Sequence, residues 1–294
     1  MSDSLKSVVR WLRIIGLIGS VVLLVACSAI KIGYNTVPDL TYWWLDGYAD
    51  FNAVQTLQVR DELNHLHQWH RVTELPKVAD LLQKMQRLAP DEVTPEQVCG
   101  LFSDVRARLE AIHAQAEPGI IALAMSLGSS QLAHIEAKFQ KTNTGWREDW
   151  LDGTPAEKQE RRMKSAIDRA EQVYNTLEER QKTILQESIA SSGFDPQLSY
   201  TERLRRQRDL LQTLRQIQGN KVPASQATVA LRGYVERSIH SPNLAYRAYS
   251  DKALLDNCRA FAQLHNSTTA EQRERAVRRL AAYERDIREL AAQR

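Results

Sequence analysis

Apolar residues recur every three or four positions from residue 51 to the end of the chain, and this spacing constrains the fold more than any other feature. The last segment shows a heptad spacing at Ala276, Leu280, Tyr283, Ile287 and Leu290. No stretch alternates between apolar and polar residues as a half-buried strand does. With 12 glycines and 9 prolines in 294 residues, the chain has too few turn formers for a sandwich or barrel. The sequence therefore predicts an all-α fold, a multi-helix bundle of antiparallel helices.

Four segments have the capping-box pattern, in which a hydroxyl residue is followed three positions later by Glu or Gln. They begin at Thr94, Thr154, Ser199 and Thr269, and each predicts a helix start. Glycine and proline indicate where helices end. The breaks are predicted near positions 89–90, 118, 128–129, 145, 153, 193–196, 219–223 and 241–242.

The charge balance excludes a dedicated nucleic-acid binder. Lys and Arg number 39 and Asp and Glu number 36, which gives a formal net charge of +3, whereas nucleic-acid binders usually have a strong basic excess. Hydrophobic residues at 43% and charged residues at 26% also exclude a wholly disordered chain. We expect one or two folded domains and no nucleic-acid partner.

The N-terminus has the pattern of a secretory signal peptide. Lys6, Arg10 and Arg13 precede an uncharged apolar run over positions 14–26. The run ends in Leu24-Val25-Ala26-Cys27, which resembles the bacterial lipobox. The resemblance implies that the Cys27 thiol takes a diacylglyceryl group, that cleavage follows before it, and that the new amino group is acylated, with chains such as palmitate. The alternative is an uncleaved membrane anchor over 14–30, at the lower length limit of a spanning helix.

The residue after Cys27 is Ser28 rather than Asp, and by resemblance to the enterobacterial sorting rule this favours the outer membrane. We therefore expect a lipoprotein signal peptide over 1–26, a lipidated tether with an aromatic segment over 27–50, and a helical periplasmic domain over 51–294. The membrane is the predicted partner, through lipidated Cys27.

The aromatic segment begins with residues that disfavour regular structure. Gly33, Asn35 and Pro38 predict a break there. The large side chains that follow have two interpretations. They belong either to a short helix packed on the helical domain or to a segment that lies in the membrane interface, where Trp and Tyr are common. They are Leu40, Tyr42, Trp43, Trp44, Leu45 and Tyr48.

One weak candidate metal site exists. On a helix His67 and His70 share a face with Glu74, and two imidazoles with a carboxylate can hold zinc. The alternative is an imidazole at the edge of the core, hydrogen-bonded to a neighbour. Zinc sites need three or four convergent ligands, so we predict no metal and no cofactor. Trp69 and Pro76 predict instead a helix that ends or kinks before the proline and packs into a turn.

Two cysteines remain after Cys27. Cys99 and Cys258 lie on or beside apolar helix faces, and an oxidising periplasm makes them candidates for a disulfide. The alternative is two separate buried thiols, because the sequence does not show whether their Cα atoms come within about 7 Å.

The chain has no nucleophile elbow, phosphate-binding loop or dinucleotide-binding glycine pattern, so we predict no enzyme. An arginine run has two interpretations: a solvated helix face, or a surface for acidic lipopolysaccharide or another partner. It comprises Arg203, Arg205, Arg206 and Arg208.

The chain resembles a domain-of-unknown-function family of proteobacterial lipoproteins. The resemblance lies in the segment Trp69-His70-Arg71 followed by Glu74-Leu75-Pro76, together with the lipobox, Tyr48, Gln55 and Leu82. The resemblance implies a helical envelope lipoprotein and transfers no catalytic residue. A second, weaker likeness is to Spy-like periplasmic chaperones, through Thr94 to Gln97 and Thr269 to Gln272.

Three functions follow from these observations. We expect a role in binding or structure, with an envelope protein as a candidate partner. A chaperone-like holdase is the first alternative, and a metal-dependent envelope hydrolase is the second.

Overall fold

The computed structural model describes residues 30–293, and every regular element in that range is a helix. The predicted all-α class is therefore confirmed for the described part of the chain. The predicted signal peptide over 1–26 and the lipidation site Cys27 lie outside the described residues. Between residues 30 and 293, no helix is both long enough and apolar enough to cross a membrane.

Short turns connect the helices. They are α1 (30–49), α2 (Ala53–Trp69), α3 (Leu75–Leu88), α4 (Pro95–Ser126), α5 (Ser129–Trp150), α6 (Pro155–Tyr174), α7 (Glu179–Ser191), α8 (Pro196–Ile217), α9 (Ala224–Ile239), α10 (Leu244–Asn266) and α11 (Ala270–Ala292). A π-helical turn, His70–Glu74, joins α2 to α3, and a 3-10 turn, Gln218–Asn220, follows α8. The α3 helix packs mainly against α11, and α4 packs against α2 and α10.

Three of the four predicted helix starts are confirmed. The hydroxyls of Thr94, Thr154 and Thr269 each accept a hydrogen bond from the backbone three residues later, and the Gln or Glu there accepts one from the threonine backbone. These reciprocal bonds satisfy backbone donors that the first turn of a helix leaves unpaired.

The start predicted at Ser199 is wrong, because α8 begins at Pro196 with Asp195 as its N-cap. The Asp195 carboxylate accepts from the Leu198 backbone N–H at 2.8 Å. Aspartate followed by proline is a strong helix start, since proline loses nothing at the first helical position. Ser199 therefore lies inside the first turn, where its hydroxyl donates to the Asp195 carbonyl.

The segment around Gly33, Asn35 and Pro38 is helical, so the predicted break there is wrong. Pro38 lacks the N–H that a helix would direct at the carbonyl of Tyr34, four residues earlier. Nε2–H of His67 donates to that carbonyl instead, at 3.1 Å. A contact from α2 therefore replaces the hydrogen bond that the proline removes, and α1 continues to residue 49.

The breaks predicted at Pro118 and Gly145 are also wrong, because α4 and α5 run through them. An interior proline costs a helix about 3 kcal/mol and a glycine about 1 kcal/mol. Tertiary packing offsets this in α4, which buries Val98 at one end and Ala124 at the other. The other predicted breaks coincide with turns.

Most of the buried apolar side chains between residues 30 and 293 belong to three clusters. The first joins the end of α1 to α4, α5, α8 and α9, the second joins α6, α7, α10 and α11, and the third joins the start of α4 to α10. Their central residues are Leu127, Ile135, Leu214 and Ile217 in the first cluster, Tyr174, Leu177 and Leu264 in the second, and Val98, Cys258 and Ala262 in the third.

Two pairs of buried or half-buried glutamines join helix corners. Gln55 and Gln131, each the third residue of its helix, exchange amide hydrogen bonds of 3.2 and 2.8 Å. Gln181 and Gln272 repeat the arrangement at 2.6 and 3.0 Å. Each of the four amide oxygens also accepts from the backbone of its own N-cap. Each pair therefore joins two helix starts through groups that are all hydrogen-bonded.

Cys99 in α4 and Cys258 in α10 are joined by a disulfide, with their Cα atoms 5.5 Å apart. This separation is the usual one for the bond. Cys258 is fully buried and the pair lies within the third cluster. The bond closes a loop of 159 residues, so it ties the start of α4 to a helix near the C-terminus.

We expect the disulfide to stabilise the folded chain by about 2–4 kcal/mol, because it restricts the unfolded ensemble. Adding dithiothreitol should lower the free energy of unfolding of the natural protein by that amount in urea titrations. The Cys99→Ala/Cys258→Ala variant, which has no bond to reduce, should not respond. Two free thiols in protein unfolded without reductant would contradict the bond.

Candidate functional site

An apolar cleft lies between α1, α4, α5 and α8, beside the first core cluster, and has a volume of about 540 Å³. We call it the apolar cleft. The α1 helix supplies Trp44 and Tyr48, whose rings lie 5.0 Å apart, and α5 supplies Phe139, at 5.9 Å from Tyr48. The other apolar walls are Leu45, Ala49, Phe51, Ile120, Leu123, Ala124, Leu127, Ile135, Leu210 and Leu214.

Polar side chains of α8 line the opposite wall, and Glu202 is the most deeply buried of them. Arg205 binds both carboxylate oxygens, at 2.8 and 2.9 Å, and Nε of Arg206 donates to one of them at 3.0 Å. Burial raises the pKa of Glu202, but hydrogen bonds from Arg205, Ser241 and Arg206 outweigh it and hold the pKa below its ordinary value. Glu202 is therefore an ionised counter-ion for the arginines.

Arg203 and Arg206 give this wall of the cleft a positive charge. Arg203 donates to the side chains of Asn143 and Thr142, at 2.7 and 3.2 Å, and neither partner is charged. The Arg206 guanidinium lies over the ring of Tyr246, at 5.3 Å from its centroid. The arginine bound most tightly to Glu202 is Arg205, which is shared with Asp209 at 3.1 Å.

The solvated-face interpretation of the arginine run is wrong for three of its four members. Arg205 is held in the ion-pair network with Glu202 and Asp209, and Arg203 and Arg206 line the cleft. Arg208 is the exposed member, and its Nε donates to the carbonyl of Leu204. Sequence spacing did not separate them because all four lie within two turns of one helix.

The weak metal candidates do not converge. His67 and His70 face α1, where the Tyr34 hydroxyl lies 3.1 Å from Nδ1 of His70. The Glu74 carboxylate is fully buried between Lys77 and Arg108, at 2.7 and 3.1 Å. In the part of the chain that the structure describes, no three His, Cys, Asp or Glu side chains are placed to hold a metal ion.

The Trp69–Pro76 segment is a junction between helices. Arg71 donates to Asn35 of α1 at 2.6 Å and to Gln293, beyond α11, at 3.2 Å. Glu74 reaches Arg108 of α4, and Leu75 is buried. These side chains therefore join α1, α4 and the C-terminal segment to one turn.

The helix does not end before Pro76, which was one of the two predicted outcomes. The chain stays helical through a π turn, in which the Leu75 backbone N–H donates to the carbonyl of His70, five residues earlier. This wider turn changes the hydrogen-bond register just before the proline. Trp69 is partly buried beside this turn.

Sequence analysis did not predict the apolar cleft, although it singled out Trp44, Tyr48, Arg203 and Arg206 in two separate groups. The available signal was the spacing of Trp44 and Tyr48, which places two aromatic rings on one face of a helix. Nothing in the sequence showed that this face opposes α8.

The histidines of the junction predict a loss of stability in acid. Burial lowers the pKa of both His67 and His70 below the ordinary 6.5. The unfolded chain therefore binds protons more readily than the folded chain, and the free energy of unfolding falls as the pH drops through 6.5. His70→Gln should cost about 1 kcal/mol at pH 7.5 for its lost hydrogen bond and should reduce the acid-induced fall.

Exposed His65, on the same helix, provides the matched control. His65→Gln should leave both the stability at pH 7.5 and its pH dependence unchanged. Urea titrations between pH 5.5 and 7.5 make the comparison, and an acid-induced fall of equal size in His70→Gln and the natural protein would refute this role of His70.

Residues 47–224, more than half of the chain, match the model of the family of unknown function DUF6279. The match runs from the end of α1 to the first residue of α9 and includes Arg203, Arg206 and the Trp69–Pro76 junction. No curated protein and no solved structure matches the chain. Membership of a family of unknown function is thus confirmed, while the link to proteobacterial lipoproteins and to the Trp69–Pro76 motif stays a prediction. The chain belongs to the family of unknown function DUF6279.

Proposed function

We propose that this protein is an outer-membrane lipoprotein, anchored through acylated Cys27, whose body of antiparallel helices faces the periplasm and acts by binding. The lipobox at Leu24 to Cys27 supports the anchor, and Ser28 supports the outer membrane. The disulfide between Cys99 and Cys258 fits an oxidising compartment.

The apolar cleft is the observation that carries the binding role. Its volume of about 540 Å³ falls in the range of small-molecule sites, which is about 300–1,000 Å³. Like such sites, it combines aromatic and aliphatic walls with a few convergent polar groups. The ligand is therefore a largely apolar molecule that contacts Trp44, Tyr48 and Phe139.

The polar wall of the cleft supports binding rather than catalysis. Its buried carboxylate, Glu202, uses both oxygens to bind Arg205 and Arg206. A general base must reach the proton that it takes, and these contacts occupy the carboxylate. We therefore propose that the protein is not an enzyme.

Exposed apolar side chains on α1 and α2 favour a second candidate, a periplasmic holdase. Clusters of exposed apolar surface often bind other proteins. A holdase should suppress the aggregation of a chemically unfolded client, and replacing these side chains with Ser should abolish the effect. They are Val37, Leu40, Trp43, Val54 and Leu57.

Cys27→Ser should abolish lipidation, because a serine hydroxyl does not replace the thiol that accepts the diacylglyceryl group. Cells fed an alkyne-labelled fatty acid should incorporate it into the natural protein and not into the variant. Cys99→Ala controls for loss of a cysteine and should label normally. Labelling of the Cys27→Ser chain would refute the anchor.

A neutral amphiphile should bind in the apolar cleft. We expect hexadecanol carrying a photoactivatable diazirine to crosslink to α1, α5 and α8 in membranes that contain the full-length protein. Trp44→Ala removes an aromatic contact with the ligand and should reduce this labelling about two- to tenfold.

Trp43 provides the matched control, because it is as exposed as Trp44 but does not line the cleft; both are 62% exposed. Trp43→Ala should label like the natural protein. Equal losses in the two variants, or crosslinks scattered over all helices, would refute the cleft as a binding site.

A further inference from the structure

We propose that the apolar cleft binds an amphiphile with one acyl chain and an anionic headgroup, a carboxylate or a phosphate monoester, and that Arg203 and Arg206 bind this headgroup. The proposal rests on the proposed function, because it names the class of ligand that the cleft takes. Its basis is the juxtaposition of two guanidinium groups that have hydrogen-bond donors to spare with a long apolar wall.

Arg206 has hydrogen-bonding capacity to spare. Its Nε donates to Glu202, and among residues 30–293 its two terminal nitrogens donate to no protein acceptor. Two carboxylates, Glu202 and Asp209, are shared by three guanidinium groups, those of Arg205, Arg206 and Arg237. The network therefore keeps one net positive charge, and the free edge of Arg206 presents paired N–H donors that suit carboxylate or phosphate oxygens.

Arg203, one turn away, is held by neutral partners. Nε donates to Asn143 and one terminal nitrogen donates to Thr142. Asn143 is itself buried and fixed by Gln207, at 2.7 and 3.0 Å. In the described part of the chain, no carboxylate lies within 4.0 Å of the Arg203 guanidinium. This network orients a second cation at the cleft wall without neutralising it.

The apolar wall determines the rest of the ligand. A second cavity of about 110 Å³ shares Leu45, Ile120 and Leu123 with the cleft, so the apolar surface continues beyond it. The cleft volume of about 540 Å³ lies within the range of small-molecule sites, about 300–1,000 Å³, and its apolar walls suit one acyl chain with a small headgroup.

The test compares three photoactivatable probes with one sixteen-carbon chain and different headgroups: hexadecanoic acid, hexadecyl phosphate and hexadecanol. Each is crosslinked to the full-length protein in membranes, and labelled peptides are quantified by mass spectrometry. At least one anionic probe should label the cleft peptides about tenfold more than the alcohol. The stronger of the two identifies the headgroup as carboxylate or phosphate.

Arg203→Gln and Arg206→Gln should each lower this anion-to-alcohol ratio about threefold, since the two arginines share a preference of about tenfold. Exposed Arg208→Gln, on the same helix, should not change it. Arg206→Lys keeps the charge and should keep most of the preference. The ratio is taken within each variant, so a loss of folded protein lowers both labels and leaves the ratio unchanged.

The outcomes separate the two proposals. Equal labelling by the alcohol and both anions, or a preference that survives both glutamine variants, overturns the anionic headgroup and leaves the cleft as a binding site. Absence of cleft labelling by all three probes overturns the binding function itself.

Discussion

The fold depends on reciprocal hydrogen bonds between glutamines at helix starts. The pairs are Gln55 with Gln131 and Gln181 with Gln272. Each amide oxygen accepts one hydrogen bond from the backbone N–H of its own N-cap and one from the amide of the partner glutamine. Buried amides are expensive to leave unpaired, at about 1–3 kcal/mol each, so each pair forms only when both corners are in place. A glutamine at the third position of a helix therefore both caps that helix and determines which other helix lies beside it.

The first pair also shapes the apolar cleft. Nε2 of Gln131 donates to the carbonyls of Ala49 and Asp50, where α1 ends, and Asp50 adopts a left-handed backbone conformation, φ 49°. These bonds hold the end of α1 against the start of α5. Tyr48 precedes this corner by one residue and reaches Phe139 of α5. The cleft thus opens directly beside a rigid polar junction.

Charge is distributed unevenly in the cleft wall. The Glu202 carboxylate is shared by Arg205 and Arg206, whereas Arg203 is oriented by amide and hydroxyl groups. Burying a carboxylate is costly unless it is paired, and Arg205 supplies that pairing from the next turn of the same helix. The remaining guanidinium donors are thereby oriented beside an apolar surface. This combination underlies the binding role that we propose.

The sequence determined the helical class and most helix ends. Apolar spacing, capping threonines and turn residues fix the local backbone conformation within a few residues along the chain. The errors at Pro38 and Pro118 have one cause: tertiary contacts stabilise a helix that local chemistry disfavours, as His67 does for the Tyr34 carbonyl. The sequence made Cys99 and Cys258 candidates for a disulfide but did not show that they lie close together. The cleft was decided by tertiary structure alone, because the α1 and α8 side chains that line it lie more than a hundred positions apart, and no local pattern encodes which faces meet.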